Sequence, residues 1–420
     1  MSDFVLDILN VVTMVIQLLA LAITLYYFVV GIFGWIPKKE RGEKSTRKNT
    51  FALLVAAHDE EMVIGNMVDS LASLDYDKDF YDIYVIADNC TDATAQIARE
   101  HGAIVYERFN TTERGKGFAL EWMFEKLFNM EKQYDFIGIF DADNLVDKNF
   151  LKAMNNQINN GYNVVQGYVD SKNPFDSWIT CAYSFSFWSV SRVFQLARHN
   201  LGLSCQLSGT GFVMKTQLLK ELGWGATCLT EDMEFTMKLA LNDEKVGFAY
   251  DAVIYDEKPL TLVQSWRQRK RWMQGHADVA SRFFGKLVKK AFSEGKFMCL
   301  DCALYLVQPI RIMALGFITL FAWLQAAYPD GNVGLFHMDY LFTPIVWNTF
   351  VILQLLYMPV VIAIERRVFD KKMFWGYLTF MIYNLTWIPI AVQGMIDKNK
   401  TEWSHTKHTR QITINDFEKK

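Results

Sequence analysis

The chain has 420 residues, 51% hydrophobic and 15% aromatic, too long for one small domain and apolar enough to join a soluble part to membrane-embedded parts. A formal net charge of −3 carries no basic signature of a nucleic-acid partner. Six cysteines show no paired framework, and the one CxxC spacing, Cys299 and Cys302, lacks a second pair or nearby histidines, so reduced structural thiols are expected.

Residues 8–37 contain no charged residue or histidine, enough to cross roughly 30 Å of hydrocarbon at about 1.5 Å per residue. The stretch is too long for a signal-peptide core and no small-residue cleavage site follows, so residues 1–37 are expected to remain as an anchor. No Lys or Arg precedes Lys38, whereas "KKERGEK" follows it. The positive-inside rule then places the N-terminus outside and the next domain, 38–265, in the cytosol.

From residue 50 short apolar runs alternate with helical patterns: "FALLVAA" (51–57), an amphipathic stretch through Leu74, "IYVIA" (83–87), a helix over Ala93–His101, "AIVY" (103–106), a helix through Phe128 and "FIGIF" (136–140). Such alternation predicts βαβ units and an α/β, mostly parallel, Rossmann-like sheet covered on both faces. Ligands bind beyond the carboxyl ends of strands in these sheets. Polar residues fall there: His58, Asp59, Glu60 and Glu61 after the first run, Asp88, Asn89 and Asp92 after the second, Asp141 and Asp143 after the fourth. Asp92 reads equally well as a turn or helix cap. Asp141 and Asp143, one residue apart, form a hard oxygen site suited to Mg²⁺ or Mn²⁺ with diphosphate oxygens completing the shell.

"RGKGFAL" (114–120) puts Lys116 between two glycines at a helix start, where it can meet a phosphate or nucleotide, without the pattern of a P-loop. "LSGTGF" (207–212) allows close backbone approach or is simply a turn leading into a strand. In "LTEDMEF" (229–235) Thr230 is placed to cap a helix whose first turn holds Glu231 and Asp232. "WRQRKRWMQGH" (266–276) could lie on the lipid surface through its cations and tryptophans. As a helix it also sets Gln268, Arg271 and Trp272 on one face, at i, i+3 and i+4.

Three further apolar stretches follow, at about 302–328, 340–364 and 373–396. The last carries Asn384, Thr386, Pro389 and Gln393, better tolerated in a re-entrant or interfacial helix facing protein. We expect three full spans plus one such helix and a cytosolic tail (397–420), with four full spans as the alternative. The divisions are then 1–37, 38–265, an interfacial 266–300, a membrane region 301–396 and the tail.

The ordered set "AAHDEE", "ADNCTD", "GKG", "DAD", "TED" and the Q-x-x-R-W of "QRKRW" resembles the membrane-bound processive members of glycosyltransferase family 2, the cellulose, chitin, hyaluronan and poly-N-acetylglucosamine synthases, and most of all the bacterial exopolysaccharide type. The match covers roughly residues 50–275. The resemblance implies a GT-A fold and a β-product made from a UDP-sugar by inversion. It implies a plasma-membrane location with the catalytic domain cytosolic. It assigns Asp88 to the nucleotide, Asp143 with Asp141 to the divalent ion, and Asp232, with Glu231 beside it, to the general base. Gln268, Arg271 and Trp272 would line the diphosphate and acceptor side, with Glu60 and Lys116 on the donor side; His58, a departure from the family, reads as a base contact or, more simply, as an ordinary strand-end histidine. Family members commonly have Pro, Tyr and Asn where this chain has Ala56, His58 and Asp59, and an aspartate at Ala87, so base contacts are expected to differ. The acceptor that the resemblance implies is a growing polysaccharide, in exopolysaccharide synthesis, with a membrane lipid that receives one or a few sugars as the alternative. Export of a polymer through so few spans invites self-association or an accessory secretion protein. A non-enzymatic scaffold would have no need of these carboxylates.

Overall fold

The computed structural model describes residues 3–36, 47–225, 228–327 and 371–400, and in short pieces 352, 356–357, 359–365, 410–414 and 416. Most of the expected span at 340–364 and most of the tail lie outside the described residues.

The apolar runs form strands β1 (Phe51–Ala57), β2 (Tyr81–Asp88), β3 (Ile104–Arg108) and β4 (Phe136–Asp141), separated by helices α2 (Ile64–Ala72), α3 (Thr94–Glu100) and α4 (Lys116–Phe128). Strands β5 (Leu145–Val146), β6 (Val164–Ser171), β7 (Phe212–Lys215) and β8 (Val246–Asp256) complete one eight-stranded sheet of order β3-β2-β1-β4-β7-β6-β8-β5. Pairs β1–β2, β2–β3, β1–β4 and β6–β8 are parallel, while β7 runs antiparallel between β4 and β6.

Residues alternate across the sheet with a period of two. Ala52 and Leu54 pack with α4 and α6 (Trp178–Ser189), whereas Phe51, Leu53 and Val55 pack with α2 and α5 (Phe150–Asn159). Both faces are therefore covered, which is why the strands read as continuous apolar runs. The chain moves outward from β1 through β2 to β3 and then returns to β4 on the other side of β1, so a crevice opens at the carboxyl ends of β1, β2 and β4.

Helix α1 (Asp3–Ile32) and the turn after it contain a stretch, Asp7–Trp35, long and apolar enough to cross a membrane, and Phe374–Ile396 is a second. Helices α11 (Phe297–Leu306) and α12 (Gln308–Ala327) pass the same test only together and meet at 54°. The sharp bend thus falls at Val307, in the stretch expected to be a simple span, and not in the stretch expected to be re-entrant. The polar residues of that last stretch, in α13 (Lys371–Leu385) and α14 (Trp387–Ile396), do face protein: Gln393 accepts from Trp266 Nε1 at 2.8 Å and Thr386 Oγ1 from Arg269 at 2.9 Å.

Buried ion pairs tie the sheet to the apolar helices. Arg198 of α7 (Ala197–Leu201) donates to both oxygens of Asp301 at 2.9 and 2.8 Å, and Tyr26 of α1 donates to the same carboxylate at 2.7 Å. Glu365 accepts from Tyr168 and Tyr250 at 2.8 and 2.7 Å and pairs with Arg192. All six cysteines are free, and Cys299 and Cys302 are buried in the apolar core with α9 (Glu231–Leu241) and α10 (Leu262–Ser293).

Candidate active site

Because β1, β2 and β4 are in parallel register, their ends bring His58, Glu60, Asp88, Asp141 and Asp143 to the wall of one cavity of about 2140 Å³. A carbonyl oxygen can only accept, so the 2.7 Å contact between His58 Nδ1 and the Asp88 carbonyl puts the hydrogen on Nδ1. The ring thus braces two strand ends. Residues Asp59 and Asn89 take left-handed backbone conformations (φ 54° and 53°), which Asp and Asn tolerate better than other side chains. Asp92 accepts from the backbone N–H groups of Thr94 (3.0 Å) and Glu61 (3.1 Å), the turn role anticipated as one alternative.

Lys116 opens α4 behind Gly115, whose φ of 113° favours glycine. Its ammonium pairs with Asp141 and donates to the Gly209 carbonyl at 2.7 Å. The loop before β7 is thus both a turn leading into a strand and part of the cavity wall, with Ser208, Gly209 and Thr210 on it. Asn144, fully buried, donates to Asp143 and Asp256 at 3.3 Å each and holds the second carboxylate in place. Two hard carboxylate oxygens at the wall, with room beside them for diphosphate and water, fit a Mg²⁺ or Mn²⁺ ion. Among the described residues the one cluster of three metal-capable groups is Asp59, Cys90 and Asp92, where both aspartates are already engaged by Thr91 and Thr94.

Glu231 and Asp232 stand in the first turn of α9 and line the same cavity as Lys116, Asp141 and Arg271. Burial, and then the charge of Glu231, push the Asp232 carboxyl up to about 7. Burial also raises Glu231, against the pull of Lys116. Burial opposes the charge of Lys116, but Asp141, Glu231 and Asp232 outweigh it and hold the ammonium above its ordinary value. A carboxyl poised near neutrality is suited to take a proton from an attacking hydroxyl. Thr230 occupies the N-cap position of α9 but makes no side-chain capping bond, a departure from the expected cap. Its side chain instead abuts Gly275 of α10, where an added Cβ would stand 2.4 Å from Thr230 Oγ1.

Helix α10 carries the basic stretch, opened by a capping box between Thr261 and Gln264. Gln268, Arg271 and Trp272 share the face toward the cavity, as their spacing requires. Gln268 Oε1 accepts from Tyr183 at 3.0 Å, and the Trp272 and Tyr183 rings meet edge to face at 6.1 Å. Of the cations expected at the lipid surface, only Arg267 is exposed. Arg269 is fully buried, 4.2 Å from the Tyr383 ring centre and 4.9 Å from that of Trp387, and Lys270 pairs with Asp397. The reason is that α14 docks on the opposite face of α10.

Several site residues were not anticipated. Arg108 is buried and pairs with Asp88 at 2.7 Å. The parallel register sets Asp88 opposite Arg108, so the strand-end rule applied to "AIVYER" would have found it. Lys172 is buried, and its ammonium is held below its ordinary value by burial despite Asp143, Glu257 and Asp256 nearby. Arg311, inside an apolar stretch, lines the same cavity.

A model described as "Glycosyltransferase like family 2" matches residues 48–275. The chain is similar to the probable glycosyltransferase YdaM of Bacillus subtilis, 24% identical over 90% of each chain. A β-monoglucosyldiacylglycerol synthase of Synechocystis is 30% identical over 53% of this chain, which spans only 47% of that protein's length. A poly-β-1,6-N-acetyl-D-glucosamine synthase of Staphylococcus epidermidis is 26% identical over 57% of each chain. Among solved structures, the mannosyltransferase PcManGT of Pyrobaculum calidifontis, in complex with GDP-Man and Mn²⁺, matches 93% of this chain and 99% of its own at a TM-score of 0.61 and 17% identity, a likeness of fold. With its GT-A-type sheet, strand-end carboxylates and Q-x-x-R-W face, the chain belongs to glycosyltransferase family 2.

Proposed function

We propose that the protein transfers a sugar from a nucleoside diphosphate sugar to a lipid acceptor held in the membrane, with inversion at the anomeric carbon. One observation carries the reading: the cavity that holds Asp232 continues between the apolar helices, where its wall includes Ile312, Leu315, Leu320 of α12 and Met381, Leu385 of α13. Such walls suit acyl or prenyl chains, and the few polar side chains among them, Gln308, Arg311, Thr319 and Asn384, suit the headgroup of a lipid.

The donor, a UDP-sugar by resemblance, lies at the strand ends with its nucleotide beside Asp88 and His58. Asp141 and Asp143 would hold Mg²⁺ or Mn²⁺, which when bound supplies positive charge to the departing diphosphate. Lys116 and Arg271 add fixed cations at the same wall. The acceptor hydroxyl loses its proton to Asp232 as its oxygen bonds to the anomeric carbon. The bond from that carbon to the diphosphate breaks, and the nucleoside diphosphate leaves with the electron pair. Trp272 stands beneath the acceptor, and Gln268, braced by Tyr183, orients it. This chemistry fits a catalytic region over 38–265, continued by 266–300, on the cytosolic side of the plasma membrane, with 1–37 and 301–396 as membrane parts.

Aromatic side chains on the wall, Trp272, Tyr377, Phe380 and Trp387, favour a second reading, a growing β-polysaccharide stacked on rings, with self-association or a secretion partner completing its exit. Incubation of the protein in nanodiscs with Mg²⁺ or Mn²⁺ and a panel of labelled nucleotide sugars separates the two. Label in a short lipid-extractable product supports lipid glycosylation; label in a long, glycosidase-sensitive aqueous polymer overturns it.

A further inference from the structure

We infer that the membrane end of the cavity binds a phosphate, so that the acceptor is a phospholipid whose headgroup carries a free hydroxyl, with Arg311 as the residue that holds its charge. The inference rests on the lipid-acceptor reading above.

Arg311 sits in the first turn of α12, just past the 54° bend, in a segment apolar enough to belong to a membrane. It lines the cavity beside Gln308 and Ile312. Its guanidinium carbon lies 4.8 Å from the Tyr27 ring centre, its buried Nε has no hydrogen-bond partner, and among the described residues no carboxylate pairs with it. Arg198 has Asp301 and Arg192 has Glu365 as counter-charge; Arg269 has Thr386 and two rings, with its buried Nη2 left without a partner, but unlike Arg311 it donates, among the described residues, to a side chain at the start of the neighbouring helix. A guanidinium in apolar surroundings needs a counter-charge, and the face of one tyrosine satisfies one side of it. Its planar fork of donors matches a phosphate.

The two ends of the cavity set the rest of the ligand. Asp232 requires an acceptor with an O–H to deprotonate, which the phosphodiester of a phospholipid does not itself offer, so a hydroxyl must stand elsewhere on the headgroup. Beyond Arg311 the wall turns aliphatic, with Leu315 and Leu320, so the group bearing the phosphate also bears a hydrocarbon chain. Phosphate at Arg311, hydroxyl toward Asp232 and acyl chains along α12 describe one molecule in one orientation.

The test uses the full chain in phosphatidylcholine nanodiscs containing either phosphatidylglycerol or diacylglycerol. Both lipids carry a free hydroxyl, and of the two only phosphatidylglycerol carries a phosphate, which links its hydroxyl-bearing glycerol to the acylated one. We expect labelled sugar on phosphatidylglycerol with an acceptor KM about tenfold below that for diacylglycerol, a difference that Arg311→Gln abolishes and Arg311→Lys partly keeps, with the donor KM unchanged in both variants. Native mass spectrometry should show phosphatidylglycerol retained by the wild type and lost from Arg311→Gln, a readout independent of turnover. Equal use of the two lipids, or a preference that survives Arg311→Gln, overturns the proposal. So does inorganic phosphate retained in the same assay without any lipid preference, because the site then takes free phosphate. Label only in aqueous polymer overturns the lipid-acceptor reading itself, and the proposal with it, and is distinguishable from equal lipid use.

Discussion

The carboxyl of Asp232 makes activity and stability pull in opposite directions. Burial and the neighbouring Glu231 raise its pKa from an ordinary 3.8 to about 7. A folded-state pKa above the unfolded one means that the group costs nothing below about pH 4 and progressively destabilises the fold as pH rises through about 7. At about 1.36 kcal/mol per unit, the cost accumulates from about pH 4 and reaches about 4 kcal/mol above pH 7. Asp232→Asn removes that charge while keeping the shape. We therefore expect the variant to be more stable than the wild type at pH 8, by several degrees in apparent Tm, and to keep only about a third of that advantage at pH 5, while turnover falls by about 10²–10⁴. Tryptophan fluorescence followed during heating in nanodiscs, at both pH values, measures the first effect, and release of nucleoside diphosphate measures the second. A variant no more stable at pH 8 than at pH 5, relative to the wild type, would refute the assignment of a strained, buried charge at this position.

Three further outcomes follow from the geometry. Arg108→Ala strands the buried Asp88 carboxylate, so it should cost about 3–5 kcal/mol of stability and raise the donor KM, whereas Asp88→Asn should cost less stability; urea unfolding and donor titration check both. Gly275→Ala would drive a Cβ into Thr230, prising α10 from the turn that carries Asp232. It should cost about 1–3 kcal/mol and lower kcat, read by thermal unfolding and steady-state kinetics. Arg269→Lys keeps the charge but loses the planar contact with Tyr383 and Trp387. Amide hydrogen exchange should rise in Trp387–Ile396 while the strands stay protected.

Much of the fold was legible because it depends on local pattern. The runs at β1, β2 and β4 are apolar on both faces, and their ends carry the carboxylates that a crevice at the strand ends requires. The Q-x-x-R-W spacing places its three side chains on one helical face wherever the helix lies. What stayed hidden depends on tertiary contact. Arg269 looks like a lipid-facing cation in sequence, and only the docking of α14 buries it. Thr230 has the chemistry of a helix cap, yet the close approach of Gly275 turns it into a packing residue. The bend at Val307 is explained by Pro309, whose missing N–H and ring cannot continue α11, but hydropathy alone passes over it and reads the segment as one straight span. Arg108 was missed for a different reason: its strand was recognised two residues too short, and the rule that found Asp88 stopped before reaching its partner.

The most direct test of the central claim is the anomeric configuration of the first product, determined by NMR, together with its dependence on Asp232. In nanodiscs with a divalent ion and the preferred donor, we expect a product of inverted configuration, and Asp232→Asn should bind donor normally while losing at least about a hundredfold in turnover. Retention of configuration, or undiminished turnover by that variant, would contradict a single displacement with Asp232 as the base.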